Sequence, residues 1–289
     1  MKFIYWCIIF ISFVSKAENS HIQKTKEIAI SFFKAYQVND VKISPSGEFI
    51  ALMQVTDELS QLVFLNTKTF KKSLIIEDKF EDPISITDFY WVDNASIIME
   101  AYIRGKGRVL LLSKLTIENS ELKAVKNELF LEGYFLANTL PDLDQQFIVG
   151  KWSEGKTSLY KLDISKKSFN GQLRSKFKLN KRAPDATYWL TNSNGIITLG
   201  YGLDENESTN KVWIKDLKSK KWQVIWEGKE EIRFTPVLLS SDSKTLYVLS
   251  NHQDDLVSLY EYDVVNKSYR KKIYENISVD LSSCRFQIQ

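Results

Sequence analysis

The feature that most constrains this chain is a pattern that returns at intervals of 47 to 50 residues. The stretch VKISPSGEFIALMQ (41–54) and the stretch VLLSSDSKTLYVLSN (237–251) each contain an apolar strand, a serine-rich turn and a second alternating strand. Five corresponding turn positions lie 47, 49, 50 and 50 residues apart: Ser44, Trp91, Leu140, Leu190 and Ser240. Such a constant long period indicates a repeat architecture rather than a single irregular sheet.

Each unit supplies four strands. The first strand pairs begin near Val41, Ile86, Phe135, Ala186 and Thr235. A second strand pair with a polar turn follows each of them, as in SLYKLDISKKSF (158–169) of the third unit. Four-stranded units at this spacing are typical of a β-propeller, in which the sheets pack radially about a channel. An irregular all-β protein with chance similarities is the alternative.

The repeat does not complete a ring. Five full four-stranded blades are predicted, and a sixth begins at VDLSSCRFQIQ (279–289). We therefore expect an all-β, incomplete propeller over residues 38–289. Its open C-terminal edge, which includes the alternating CRFQIQ, predicts self-association, because an unpaired strand invites pairing with another chain.

The first 37 residues differ from the repeat. Lys2 precedes a largely apolar run of twelve residues, Phe3 to Val14, and small residues stand at Ser15 and Ala17. This pattern predicts a signal peptide over 1–17, cleaved after Ala17, and thus a periplasmic or secreted protein. An uncleaved anchor is the alternative. Residues 18–37 form a linker in which the spacing of apolar residues between 22 and 36 predicts one short amphipathic helix.

The composition of the chain argues against several kinds of binding partner and metal site. The formal net charge is +3, from 39 basic and 36 acidic residues without long like-charged blocks, so nothing indicates a nucleic-acid partner. The cysteines are Cys7, within the signal, and Cys284, and the histidines are His21 and His252. This excludes an intramolecular disulfide in the mature chain and argues against a zinc site built from cysteine or histidine. No cofactor and no metal are predicted.

The repeat units resemble those of a known family. FFKAYQVNDVKISPSGEFIALM (32–53) and PVLLSSDSKTLYVLSNHQDDLVSLYEYDVVNKSYRKKIYE (236–275) resemble the propeller of exported bacterial serine peptidases of the prolyl oligopeptidase family, of the dipeptidyl- and acylaminoacyl-peptidase type. The resemblance extends from Phe32 to about Ser283. It implies a propeller that restricts access to an α/β-hydrolase domain with a Ser-Asp-His triad.

The chain departs from that family at the catalytic motif. No G-x-S-x-G occurs in the sequence, so no catalytic residue can be assigned. The resemblance then implies a substrate-gating propeller whose hydrolase domain is missing, through truncation, and which has no catalytic activity alone. Two alternatives stay open. One is a stand-alone periplasmic propeller that binds peptides or a partner protein, and the other is a TolB-like envelope scaffold.

Two groups of polar residues are candidates for peptide binding. Asp204, Glu205 and Glu207 lie in GYGLDENESTN, between the two strand pairs of the fourth unit, and paired carboxylates suit the amino end of a peptide. Arg104 and Arg108 flank a glycine-rich turn in YIRGKGRVL and would reach toward a substrate domain. For both groups the competing interpretation is a solvated loop or turn.

Other conspicuous residues have structural interpretations. His252, beside Asp254 and Asp255, fits a polar turn better than a metal site. Tryptophans are typical of strands that fill the wedge between blades, which predicts core packing for most of them and leaves a sugar-stacking platform as the alternative. They stand at 91, 152, 189, 213, 222 and 226.

Overall fold

The computed structural model describes residues 38–282, apart from 56–59, 70–71, 77–83, 120, 141, 167, 205–208, 230 and 253. The predicted signal peptide, the predicted helix between 22 and 36 and the CRFQIQ stretch lie outside the described residues. Within them, no helix is both long enough and apolar enough to cross a lipid bilayer.

The described chain is almost entirely β-structure, arranged in five antiparallel sheets that we call blades 1 to 5. Blade 1 contains β1 (Val38–Ile43), β2 (Phe49–Val55), β3 (Ser60–Asn66) and β4 (Lys72–Ile76). Blade 2 contains β5 (Ile84–Asp93), β6 (Ser96–Ile103), β7 (Gly107–Glu118) and β8 (Glu121–Glu132). Blade 3 contains β9 (Tyr134–Asn138), β10 (Gln146–Ser153) and β11 (Lys156–Asp163).

Blades 4 and 5 repeat the four-stranded order of blades 1 and 2. Blade 4 contains β12 (Tyr188–Thr191), β13 (Ile197–Asp204), β14 (Thr209–Lys215) and β15 (Trp222–Lys229). Blade 5 contains β16 (Phe234–Leu239), β17 (Thr245–Ser250), β18 (Ser258–Asp263) and β19 (Ser268–Tyr274). In every blade the strands pair in sequence order, so the first strand of each lies at one edge of its sheet.

The two similar stretches that open blades 1 and 5 form the same turn. Ser44 N–H donates to the carbonyl of Phe49 (2.8 Å), and Phe49 N–H returns a bond to the Ser44 hydroxyl (3.1 Å). Ser240 and Thr245 make the equivalent pair at 2.8 and 2.9 Å. Serine is favoured at this position because its hydroxyl can accept from the chain that returns. The turn also needs a positive φ, which Gly47 supplies at 73°.

The core is divided into wedges between consecutive blades. Side chains alternate between the two faces of each strand, as β6 illustrates. Ile97 and Met99 pack in a cluster shared with blade 1, whereas Ile98 packs in a cluster shared with blade 3. Two further clusters join blade 3 to blade 4 and blade 4 to blade 5. This is the radial packing predicted from the sequence, and the propeller fold is confirmed.

Each wedge also contains a hydrogen bond from one blade to the next. The donor and acceptor groups differ from wedge to wedge, and so do the strands that carry them. In order from blade 1 to blade 5 the bonds are Trp91 Nε1 to Lys42 O (3.1 Å), Leu136 N to Glu100 Oε1 (2.9 Å), Asn138 Nδ2 to Thr191 Oγ1 (2.8 Å) and Tyr262 Oη to Ile225 O (2.8 Å).

The described sheets do not close into a ring, in agreement with the predicted incomplete propeller. A fifth apolar cluster lies on the face of blade 5 that points away from blade 4, and contains Leu249, Val257 and Leu259. The chain after β19 covers part of it, because Leu281 packs there and its N–H donates to the Val257 carbonyl (3.0 Å). The residues expected to open a sixth blade beyond this point are not described.

Blade 3 differs from the prediction, because it has three described strands where four were expected. After β11 the chain forms a short helix, α1 (Phe169–Gln172), and a 3-10 turn over Ser175–Phe177. The amide of Gln172 accepts from Asp163 N–H (2.8 Å) and donates to the Asp163 carbonyl (3.1 Å). These are bonds that a fourth strand would otherwise make.

Asn180 completes this substitution farther along β11. Its buried side chain accepts from Leu159 N–H (3.1 Å) and donates to the Thr157 carbonyl (2.7 Å). Leu179 N–H donates to the Leu159 carbonyl (2.8 Å). Since buried backbone groups must be paired, two side-chain amides and one backbone amide remove the need for a fourth strand here.

Candidate functional site

The described residues that the sequence singles out for peptide binding lie in two different blades. Arg104 lies in the exposed turn between β6 and β7, and Arg108 is an exposed residue of β7, so both belong to blade 2. Asp204 is the last residue of β13 in blade 4, where it faces Thr209, rather than a loop residue. Glu205 and Glu207 lie outside the described residues.

A cavity lies instead along the first strands of blades 3, 4 and 5. Its volume is about 580 Å³, within the range of about 300 to 1,000 Å³ that is usual for ligand pockets. The walls are mainly aromatic and aliphatic, and the residues that matter most below are Phe135, Tyr188, Trp189, Tyr201 and Arg233. The cavity therefore combines apolar walls with very few charged groups.

Glycines on the second strands create room for two of the aromatic walls. Phe135 of β9 pairs with Gly150 of β10, and Trp189 of β12 pairs with Gly200 of β13. A Cβ on Gly150 would lie 2.3 Å from Phe135 Cζ, and one on Gly200 would lie 2.7 Å from Trp189 Cζ3. Both distances are far shorter than a van der Waals contact. Each ring thus lies flat across its glycine, a cross-strand arrangement that compensates for the missing side chain.

Trp189 is fixed from a neighbouring blade as well. Its indole Nε1–H donates to the carbonyl of Thr157 in blade 3 (3.3 Å), and its ring makes an edge-on contact with Trp222, with centroids 5.6 Å apart. The hydrogen bond, the aromatic contact and the close approach to Gly200 together hold the Trp189 ring in place. The ring therefore presents a rigid apolar surface to the cavity.

Two tyrosines form the next part of the wall. Tyr188 and Tyr201 are cross-strand partners whose rings stack with centroids 6.2 Å apart, and Tyr188 is 66% exposed. Burial raises the pKa of the Tyr201 phenol, and Tyr188 adds to the rise, while the Arg233 guanidinium opposes it. The Tyr201 phenol can therefore donate a hydrogen bond from a neutral O–H at neutral pH.

Arg233 is the one charged residue among the described residues that line the cavity. It precedes β16 directly, and its backbone N–H donates to Asn251 Oδ1 (2.9 Å), which holds this segment in place. Its guanidinium is exposed and forms no hydrogen bond or ion pair with any residue that the structure describes. A free arginine fork beside a cavity is suited to a planar anion such as a carboxylate.

The strands around the cavity also offer backbone groups. The first strands β9, β12 and β16 each pair with only one neighbour within their described sheets, so the other edge of each is unpaired there. An unpaired strand edge can form main-chain hydrogen bonds with an extended peptide. The cavity therefore has apolar walls, a cation and strand edges in one place.

His252 belongs to the structural framework of blade 5, as the predicted polar turn implies. Its ring stacks on Tyr269 with centroids 3.7 Å apart, and burial lowers the pKa of the imidazole despite the nearby Asp254. Tyr260 donates to Asp254 (2.7 Å), and burial together with this bond raises the pKa of Tyr260 to about 12. Over the described residues, no group of three or more potential metal ligands occurs.

The sequence pattern did not single out the residues of this cavity. Core packing is predicted for most of the tryptophans, so Trp189 did not stand out, and Arg233 lies in no motif. Trp152 is 60% exposed and is an exception to that prediction. The usable signal is the pairing of an aromatic residue in a first strand with a glycine in the second, as in Trp189 and Gly200. It requires the register of the two strands to be known.

No protein-family model and no curated protein matches the chain. Solved structures do match it. A prolyl endopeptidase is 13% identical with a TM-score of 0.54, over 86% of this chain and 38% of that one. TolB from Acinetobacter baumannii is 12% identical with a TM-score of 0.43, over 80% of this chain and 53% of that one. The β-propeller domain of the Trilobed protease from Pyrococcus furiosus is 16% identical with a TM-score of 0.46, over 78% and 69%.

The similarity to the prolyl endopeptidase supports the fold and nothing finer, because the identity is only 13%. The chain spans 38% of the length of the prolyl endopeptidase and 53% of the length of TolB.

Proposed function

We propose that this protein is a peptide-binding propeller without catalytic residues of its own, and that it gates substrate access for a serine peptidase of the prolyl oligopeptidase type. The observation that carries the proposal is the cavity of about 580 Å³ on the first strands of blades 3 to 5. Short peptides fit its chemistry, since they combine apolar side chains, a main chain that can pair with a strand edge, and charged ends.

The peptidase context is supported by two observations. The repeat units resemble the propellers of that family, and a prolyl endopeptidase shares the fold with a TM-score of 0.54. The study of that enzyme concerns the role of inter-domain dynamics in catalysis and specificity. By analogy, we propose that the cavity receives peptides on their way to an α/β-hydrolase domain. Residues 1–17 support export of the protein.

Peptide binding can be tested by isothermal calorimetry with unlabelled tetrapeptides that end in Phe, Leu or Trp. Gly200→Ala should push the Trp189 ring out of its position and weaken binding about tenfold, a typical loss for a displaced aromatic wall. Gly171→Ala, in α1, is the matched control and should bind like the parent. Circular dichroism would verify that both variants keep their β-structure.

Two results would contradict peptide binding. One is the absence of heat for every peptide with the parent protein, and the other is an unchanged affinity in Gly200→Ala. The peptidase context has a separate test, which is an immunoblot of the native source with antiserum against the propeller. A band well above 33.6 kDa supports a fused hydrolase domain, whereas a band at or just below this mass argues for a stand-alone binding protein.

A further inference from the structure

Arg233 makes one part of the cavity wall positively charged, so this part differs in chemistry from the rest of the wall. The guanidinium lies at one part of the wall, close enough to the Tyr201 phenol to influence its pKa, and the stacked Tyr188 ring follows it. The aromatic surfaces of Trp189 and Phe135, each placed over a glycine, form the apolar part of the wall. A ligand that satisfies both parts must carry a negative charge next to an apolar group.

We propose that the cavity recognises the C-terminal carboxylate of a peptide whose last side chain is apolar or aromatic, with Arg233 as the carboxylate-binding residue. This inference rests on the proposed peptide-binding function and specifies which end of the peptide is bound. The planar guanidinium can donate two parallel N–H bonds to a carboxylate, and the tyrosine hydroxyls can donate to the remaining lone pairs.

The opposite polarity does not suit the described wall. A peptide amino end requires a carboxylate partner, and none of the described lining residues carries one. A bound carboxylate, in contrast, would give the Arg233 guanidinium the partner that it lacks among the described residues.

The unpaired edges of the first strands favour a peptide over a free carboxylic acid. The edge of β12 that is not paired with β13 can accept an extended chain, which would place the last peptide residue beside Arg233 at the start of β16. A small acid would use the guanidinium and the aromatic wall but none of the strand edge. Its affinity should therefore be lower than that of the matching peptide.

The test compares three probes on the purified full chain by isothermal calorimetry: Ala-Ala-Ala-Phe with a free carboxylate, the same peptide with a C-terminal amide, and 3-phenylpropionate. The free-acid peptide should bind at least about tenfold more tightly than the amide, since a hydrogen bond to a charged group is worth more than one to a neutral group. Phenylpropionate should bind more weakly than the free-acid peptide.

Variants then assign the effect to a residue. Arg233→Gln should remove the preference for the free acid, and Arg233→Lys should restore part of it, because lysine keeps the charge but not the fork. Arg104→Gln is the matched control. It removes an exposed arginine of blade 2 that the sequence also nominates for peptide binding.

The outcomes separate the two proposals. If acid and amide peptides bind equally to the parent protein, end recognition is wrong while peptide binding stands. If neither binds, both proposals are wrong. If phenylpropionate binds as tightly as the peptide, the ligand is a small aromatic acid and the peptide assignment fails. If Arg104→Gln loses the preference and Arg233→Gln keeps it, the carboxylate is read in blade 2 and the inference is overturned.

Discussion

The wedge between blades 1 and 2 is joined by charge, whereas the wedge between blades 4 and 5 is joined by aromatic rings. In the first, Lys42 pairs with Asp88, donates to the Phe89 carbonyl (2.6 Å) and lies 4.1 Å from the centroid of the Tyr90 ring. In the second, the Phe234 ring stacks on one aromatic ring and makes edge contacts with two others. These are Trp226 at 4.3 Å, Tyr262 at 5.1 Å and Tyr269 at 5.9 Å.

The comparison shows that neighbouring blades of one propeller can be joined by different chemistry. Both wedges bury an apolar cluster, and both carry a hydrogen bond between blades. The charged link depends on ionisation and desolvation, while the aromatic link depends mainly on the apolar area removed from water. The two wedges should therefore respond differently to mutation and to pH.

The largest effect is expected for Phe234→Ala. Phe234 is completely buried, so the substitution leaves a cavity between blades 4 and 5 and should lower the free energy of unfolding by about 3 to 5 kcal/mol. Urea denaturation followed by tryptophan fluorescence measures it. Phe177→Ala, at a residue that is 52% exposed, is the control and should change stability little. Equal losses in the two variants would refute the importance of the aromatic wedge.

A smaller loss is expected for Lys42→Met in the charged wedge. The substitution leaves the half-buried Asp88 without its cation, although Tyr90 still donates to that carboxylate (2.5 Å), so we expect a loss of about 1 to 2 kcal/mol. The same denaturation experiment applies. Lys156→Met, which breaks an exposed pair with Asp185, should have a lesser effect. A loss as large as that of Phe234→Ala would contradict the ranking.

Tyr262→Phe tests the hydrogen bond between blades 4 and 5 separately from the contacts of the aromatic rings. It removes the hydroxyl that donates to the Ile225 carbonyl (2.8 Å) but keeps the ring, and should cost about 1 kcal/mol. Tyr274→Phe, at an exposed position, is the matched control. If Tyr262→Phe has no effect, the ring contacts alone hold blade 4 against blade 5.

The smallest difference should appear in the response to acid. Burial raises the pKa of Asp88, but hydrogen bonds from Lys42 and Tyr90 outweigh this and leave the pKa below its usual value of 3.8. The stabilisation is therefore complete above about pH 4, the unfolded-state value, and is lost as the pH falls through the folded-state pKa. Asp88→Asn should lose less stability on acidification than the parent.

Phe234→Ala gives the corresponding measurement of pH-dependent stability for the aromatic wedge. Phe234 does not titrate and its substitution leaves the Lys42–Asp88 pair in place, so the slope of stability against pH should match that of the parent protein. Denaturation midpoints measured across the acid range give both slopes. A parental slope in Asp88→Asn, or a flattened one in Phe234→Ala, would show that the charged wedge is not the acid-sensitive one.

Most of the blade architecture could be predicted from the sequence because the repeat has a nearly constant length. Ser44 and Ser240 close the same hydrogen-bonded turn in blades 1 and 5, whereas Trp91 and Leu190, at the corresponding predicted turn positions, lie within β5 and β12. The absence of a described fourth strand in blade 3 could not be predicted in this way. Gln172 and Asn180 make the necessary bonds through side chains, which no local pattern reveals.

The candidate site was less accessible to prediction. An aromatic residue in a strand looks the same whether it fills a core or a cavity, so Trp189 carried no distinct signal. Arg233 became notable only because its guanidinium has no described partner and lies on the cavity wall. Both facts depend on which strands are neighbours, and that information is not local in sequence.

The side-chain amides of blade 3 have a consequence for how copies of the protein could meet. Blades 1, 2, 4 and 5 each end in a complete strand whose outer edge has no partner within its described sheet, and such an edge can template a foreign strand. On β11 the equivalent groups of Leu159 and Asp163 are already occupied. Blade 3 is thus the blade whose last strand is least able to pair with an added strand. Lateral assembly of copies would have to start from the last strands of the other four blades.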